Sequence, residues 1–107
     1  MAKFLMEKKI SAKAIAHVVK HTPDKSELLQ RLCNTLGITL LEYYISVTDN
    51  KAMLFFESPD IDRVATLGMY FLSVGGAEDY EEVRYIPLVT VPEANELFKK
   101  AGKLPKE

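Results

Sequence analysis

Glu7, Glu42, Tyr44, Glu57 and Arg84 are the side chains of this sequence whose types could act together. Each falls in a segment that reads as a β-strand. Alternation along those strands puts carboxylates, a phenol and a guanidinium on one apolar face, where a carboxylate pKa can rise into the range of a general base. On that reading Glu57 or Glu42 is the base and Tyr44 or Arg84 polarises a substrate oxygen. The plainer reading has Arg84 paired with Glu42 or Glu82 at a subunit interface, since ion pairs perturb pKa values without catalysing anything.

Other candidates are weaker. His17 and His21 stand four apart, the spacing at which two helical imidazoles share a metal, but Lys13 and Lys20 flank them and no third ligand is visible. A solvated helix face is the better account, and no metal or cofactor is expected. Cys33 lies within a Leu29, Leu32 and Leu36 stripe, which makes it a core thiol rather than a nucleophile. Gly75-Gly76 follows a helix, whereas anions favour the opposite helix end. Tyr80 and Tyr85 near Arg84 form at most a remote stacking surface for nucleic acid.

The elements that must position these groups are organised around Leu40 to Asp60. Leu40–Val47 and Ala52–Glu57 read as two strands joined by a turn at Thr48-Asp49-Asn50-Lys51, and Ser58-Pro59-Asp60 closes the second strand. Lys3–Ile10 reads as the first strand. Ser11 caps a short, early-interrupted helix bearing Ala14, Ile15, Val18 and Val19. Thr22 and Pro23 restart it, Asp24 complements its positive end, and Gly37 stops it. Asp60 caps a further helix with Ile61, Val64, Ala65, Gly68, Phe71 and Leu72 on one side and Leu67, Tyr70 and Val74 beside them, ending at Gly75-Gly76. Tyr80 to Val91 returns as a strand, with Pro87 placing it near an edge. Pro92-Glu93 opens a short C-terminal helix whose Ala94, Leu97 and Phe98 are expected to cover the spare apolar side of the preceding helix, and 103–107 reads as a loose tail.

This order predicts an α+β, ferredoxin-like βαββαβ fold with a four-stranded antiparallel sheet and both helices on one face. Leu41, Tyr43, Ile45 and Val47 are expected to face the helices, with Leu40, Glu42, Tyr44 and Ser46 opposite. Leu5, Glu7 and Lys9 join that open side, as do Glu82, Arg84, Ile86 and Leu88, while Val83, Tyr85 and Val89 turn inward. Met53, Phe55 and Glu57 alternate with an equally apolar set, which implies burial on both faces of that strand. An open face carrying Leu5, Tyr44, Ile86 and Leu88 is too apolar for water, and a second copy of the sheet is the economical cover.

At 107 residues and 48% hydrophobic, the chain has material for one small core, and residues 1–107 read as a single domain. Its 14 Lys and Arg against 15 Asp and Glu create no field for nucleic acid or an anionic membrane. One cysteine excludes an internal disulfide, and with no leader-like or long apolar run a soluble, cytoplasmic protein is expected.

The Pro23 helix, Leu36-Gly37, Leu41-Glu42-Tyr43-Tyr44, Glu57-Ser58-Pro59-Asp60, Gly75-Gly76 and Pro92-Glu93-Ala94 together resemble the small GYD domain family of dimeric α+β barrels. The Gly-Tyr-Asp that names the family does not stand here. Its place is taken by Ser46-Val47-Thr48-Asp49-Asn50-Lys51, with Asp49 the nearest acid. The resemblance implies fold and dimerisation more than chemistry. The expected function is a homodimeric ligand-binding or interaction module. The alternative is a cofactor-independent isomerase or oxygenase acting on a hydrophobic organic molecule in the sheet–helix cleft.

Overall fold

A computed structural model describes residues 1–21, 24, 26–75 and 80–106, with the side chains of residues 74, 75, 80 and 81 outside the description. The order is β1 (Ala2–Ile10), α1 (Ala12–His21), α2 (Ser26–Leu36), β2 (Thr39–Ser46), β3 (Lys51–Ser58), α3 (Ile61–Gly75), β4 (Tyr80–Leu88) and α4 (Val91–Gly102). The four strands form one antiparallel sheet in the order β2-β3-β1-β4.

The helix-facing side of the sheet holds the core. Met6, Leu54 and Phe56 are fully buried from the strands, and Leu29, Cys33, Val64 and Leu67 meet them from α2 and α3. Burying a side chain of that size stabilises the fold by about 1.5–3 kcal/mol. On β3 every second residue, Ala52, Leu54, Phe56 and Ser58, is buried, while Lys51, Met53, Phe55 and Glu57 are half-buried. That strand therefore has one dry face and one partly wet face, where two buried faces were expected.

Local signals explain the boundaries. Ser11 starts α1, its hydroxyl accepting from the Ala14 N–H at 3.0 Å. The Asp24 carboxylate accepts from both the N–H and the hydroxyl of Ser26 at the start of α2, and these bonds lower its pKa. Gly37, at φ +69°, ends α2 in a Schellman arrangement. Ile38 N–H reaches the Cys33 carbonyl at 3.0 Å and Gly37 N–H the Asn34 carbonyl at 3.2 Å. Asp60 caps α3 through the Arg63 N–H at 3.1 Å. Thr22, Pro23, Gly76 and Glu107, to which the sequence also gave roles, lie outside the described residues.

Further expectations need correction. The helical stretch after β1 is not cut short: α1 runs for 10 residues and is a helix separate from α2. β2 carries a bulge between Leu40 and Glu42, so Leu40 pairs with Phe56 and packs on the core rather than lying on the open side. Val47 and Val89 fall beyond their strands, at 82% and 53% exposure, rather than facing the helices. The buried stripe of α3 centres on Val64, Leu67 and Gly68, with Ile61 and Leu72 each 39% exposed.

The C-terminal helix departs furthest. α4 has no buried residue, and Leu97 and Phe98 are 52% and 69% exposed, so it does not cover α3. It is nonetheless well started: Thr90 and Glu93 form a capping box and Pro92 sits in the first turn. The chain spans 56 × 29 × 21 Å with a radius of gyration of 16.7 Å. A compact chain of this length would have about 13 Å. α1 and α4 are the two helices with no buried residue.

Candidate functional site

The pairing register fixes what the open face can do. Along one row Glu42, Phe55, Leu5 and Ile86 stand side by side, and along the next Tyr44, Met53, Glu7 and Arg84. Arg84 reaches Glu7, directly opposite on β1, at 3.8 Å. Within one chain Glu7 is thus its ion-pair partner. Tyr44 donates to the Glu42 carboxylate two residues away, and that bond and the adjacent negative charge raise the phenol pKa. The Tyr44 ring also meets Phe55 edge-on at 6.2 Å. Glu57 lies at another level of the face, between Thr39 and Lys3.

Tyr44 and Glu42 sit on the β2 edge and Arg84 on the β4 edge, three strand spacings apart, or roughly 14 Å. A base and a polarising group must both come within hydrogen-bond reach of one substrate. Within one chain the four residues Glu42, Tyr44, Glu57 and Arg84 do not converge in that way. The open face is two local pairs and a separate acid, set in a frame of Leu5, Met53, Phe55, Ile86 and Leu88.

A concave site lies on the other side of the sheet. α1 and α2 stand off β2, β3 and the end of β1, leaving a cleft of about 840 Å³. Ile15 and Val18 of α1 and Leu28, Leu29 and Leu32 of α2 form one wall; Leu40, Tyr43, Ile45, Ala52 and Leu54 form the other. The volume falls in the range of small-molecule sites, and the mainly apolar lining is of their kind. No residue of α1 is buried, because its apolar stripe faces the cleft instead of packing into the core.

Polar groups are placed at distinct points. Lys8 lines the cleft while 3% exposed, its Nζ 3.6 Å above the centre of the Phe71 ring. Alternation puts it there, since Phe4, Met6, Lys8 and Ile10 share a parity. Tyr43 contributes a phenol whose pKa is raised by desolvation. His17, Asp24, Ser26, Gln30, Ser46 and Asn50 add further polar side chains to the lining.

Lys8 and the α1 wall were the parts missed in the sequence. The available signal was an inward lysine beside more helical apolar surface than the sheet can bury. His17 and His21 have ring centres 4.5 Å apart on exposed α1, and among the described residues no group of three or more metal-ligating side chains occurs. Cys33 is fully buried, and desolvation pushes its thiol pKa up. The Tyr80 side chain is outside the description. No helix among the described residues is long and apolar enough to cross a membrane.

The strand order and the helices on one face define the chain as an α+β protein of ferredoxin-like fold. It is similar to the crystal structure of protein Atu4242 from Agrobacterium tumefaciens, with a TM-score of 0.55 and 14% identity over 85% of this chain and 94% of that one. Likeness at that identity shows fold alone. No family model matches the chain, and no curated protein matches its sequence.

Proposed function

We propose that this protein is a homodimeric ligand-binding module of the dimeric α+β barrel type, taking a small hydrophobic molecule in the cleft between α1, α2 and the sheet. The observation that carries the reading is the cleft itself: about 840 Å³, apolar on both walls, with Lys8 and Tyr43 as polar points. A helix whose whole apolar stripe is turned toward a cavity gains burial when an apolar guest enters. The dimer is supported by the apolar frame of the opposite face and agrees with the GYD-domain resemblance. The enzyme alternative has less support, because its acid, phenol and guanidinium lie across the sheet from the cleft.

The test is a fluorescence titration with N-phenyl-1-naphthylamine. Saturable enhancement at one probe per chain is expected, weakened at least tenfold by Val18→Glu, which puts a charge on the cleft wall. Met69→Glu, on the exposed side of α3, should leave it unchanged. Absent binding, or binding indifferent to Val18→Glu, would refute the cleft as the site.

A further inference from the structure

Two apolar surfaces of this chain lack cover, and the fold keeps them apart. The first is α4, where Leu97 and Phe98 share a side with Ala94 and Ala101. Ala94 is half-buried against the chain's own body, and the stripe then runs off that body at Phe98, 69% exposed. The second is the edge strand β2, where the bulged Leu41 and the open-face Tyr44 are 42% and 54% exposed. An edge strand with so much bare apolar surface is a template for unwanted pairing unless something covers it. Since α4 follows β4, and β4 and β2 are opposite edges of the sheet, the two surfaces cannot meet within one chain.

Resting on the homodimer proposed above, we infer that α4 of each copy lies along the β2 edge of the other. A two-fold axis relating two sheets packed through their open faces exchanges such surfaces, so one chain's α4 meeting its partner's β2 implies the reverse contact as well. Area points the same way. Four strands of about eight residues have a face of roughly 500 Å², so two sheets bury roughly 1,000 Å². That is just under the ~1,200–2,000 Å² of a stable interface. A helix of α4's length, roughly 18 Å by 10 Å, covers roughly 180 Å² of each surface it touches. Two such contacts bring the total into the stable range.

Capping by Thr90 and Glu93 gives α4 its own start, so the arm is a formed helix before it docks. Thr90 and Val89 join it directly to β4, whose Ile86 and Leu88 lie on the open face, and the apolar surface therefore continues from sheet to arm.

The experiment compares the full chain with a Leu97→Ser/Phe98→Ser variant by sedimentation velocity over a concentration series. Both positions are exposed, so the circular dichroism of the variant should match the wild type. The dimer dissociation constant is expected to rise at least tenfold. In parallel, Phe98→Cys chains are mixed with Leu41→Cys chains and treated with a bismaleimide; Cys33 is fully buried and serves as the wild-type background. A cross-linked pair is expected in the mixture and in neither variant alone. A dimeric wild type with unchanged affinity in the double variant and no cross-link in the mixture would overturn the exchanged arm and leave the dimer standing. A wild type monomeric throughout would overturn both.

Discussion

Gly68 on α3 is the place where the Tyr85 phenol enters: a β-carbon at residue 68 would lie on the Tyr85 hydroxyl and within 2.8 Å of its ring carbons. The hydroxyl reaches the Ala65 carbonyl at 3.5 Å, and desolvation raises its pKa. Glycine in a helix costs about 1 kcal/mol relative to alanine, and here that cost secures the contact between α3 and β4. Gly68→Ala should destabilise the protein by about 1–2 kcal/mol net, overpacking outweighing the gain in helix propensity. Urea denaturation measures it, and Tyr85→Phe in the same chain should return part of the loss. An increase in stability from Gly68→Ala alone would show that the phenol moves aside freely.

Asn50 closes the β2–β3 turn at φ 55°, as a residue type tolerant of left-handed backbone. Ser46 pairs with Lys51, leaving Val47 to Asn50 as the loop, and the Asn50 carbonyl accepts from Ile10 N–H at 2.7 Å. Asn50→Val should cost about 1–2 kcal/mol and Asn50→Gly close to nothing, because a β-carbon, and a branched one most of all, resists this conformation and glycine has none. Equal denaturation midpoints for the two variants would contradict a strained turn.

Glu93 titrates as part of a cap. Its bonds from the Thr90 hydroxyl and N–H hold the carboxyl below the ordinary glutamate value, with Lys3 and the chain's amino terminus adding to this. A depressed folded pKa means that its contribution is full above the unfolded pKa, about 4.3, and is lost as pH falls through the folded one. Hydrogen-exchange protection, taken relative to the intrinsic rate at each pH, should therefore fall in the first turn of α4 below about pH 4.3 with little change in the sheet. Glu93→Gln should remove that dependence. Protection that falls equally in β1 and α4 would mean that α4 unfolds only with the whole chain.

Sequence and structure agree where a residue acts locally and part where it acts through packing. Ser11, Gly37, Asn50 and Asp60 declare caps and turns by type, and alternation placed Leu5, Glu7, Glu82, Arg84, Ile86 and Leu88 correctly because no bulge interrupts their strands there. The Leu40 error came from Leu41, whose insertion shifts the parity of one strand and leaves no compositional trace. The capping box at Thr90 and Glu93 was present as a four-residue pattern. Where α4 would go was not, since an amphipathic stripe specifies that it needs a partner and not which one. The candidate acids and Arg84 were rightly put on one face, but their distances depend on which strands form the edges. The cleft depends on how far α1 stands from the sheet, a property of no single segment.

The proposed dimer gives the last prediction. Leu88 lies on the open face beside Lys3, next to the row that holds Leu5 and Ile86, on the edge strand that leads into α4. Leu5 is already 9% exposed between Phe55 and Ile86, so the centre of the face is well packed within one chain and the half-buried residues around it are what a second sheet would add. Leu88→Glu places a charge among them, where desolvation without a partner costs several kcal/mol. The same substitution in a monomer leaves the glutamate half in water and costs little. Light scattering from one to a hundred micromolar should accordingly show dimeric wild type and largely monomeric Leu88→Glu, with the far-ultraviolet circular dichroism of the two alike. Raising the salt concentration should leave the wild-type dimer largely intact, since an apolar interface is little screened. A wild type that scatters as a monomer throughout that range would remove the barrel assembly and leave the open face to a different partner.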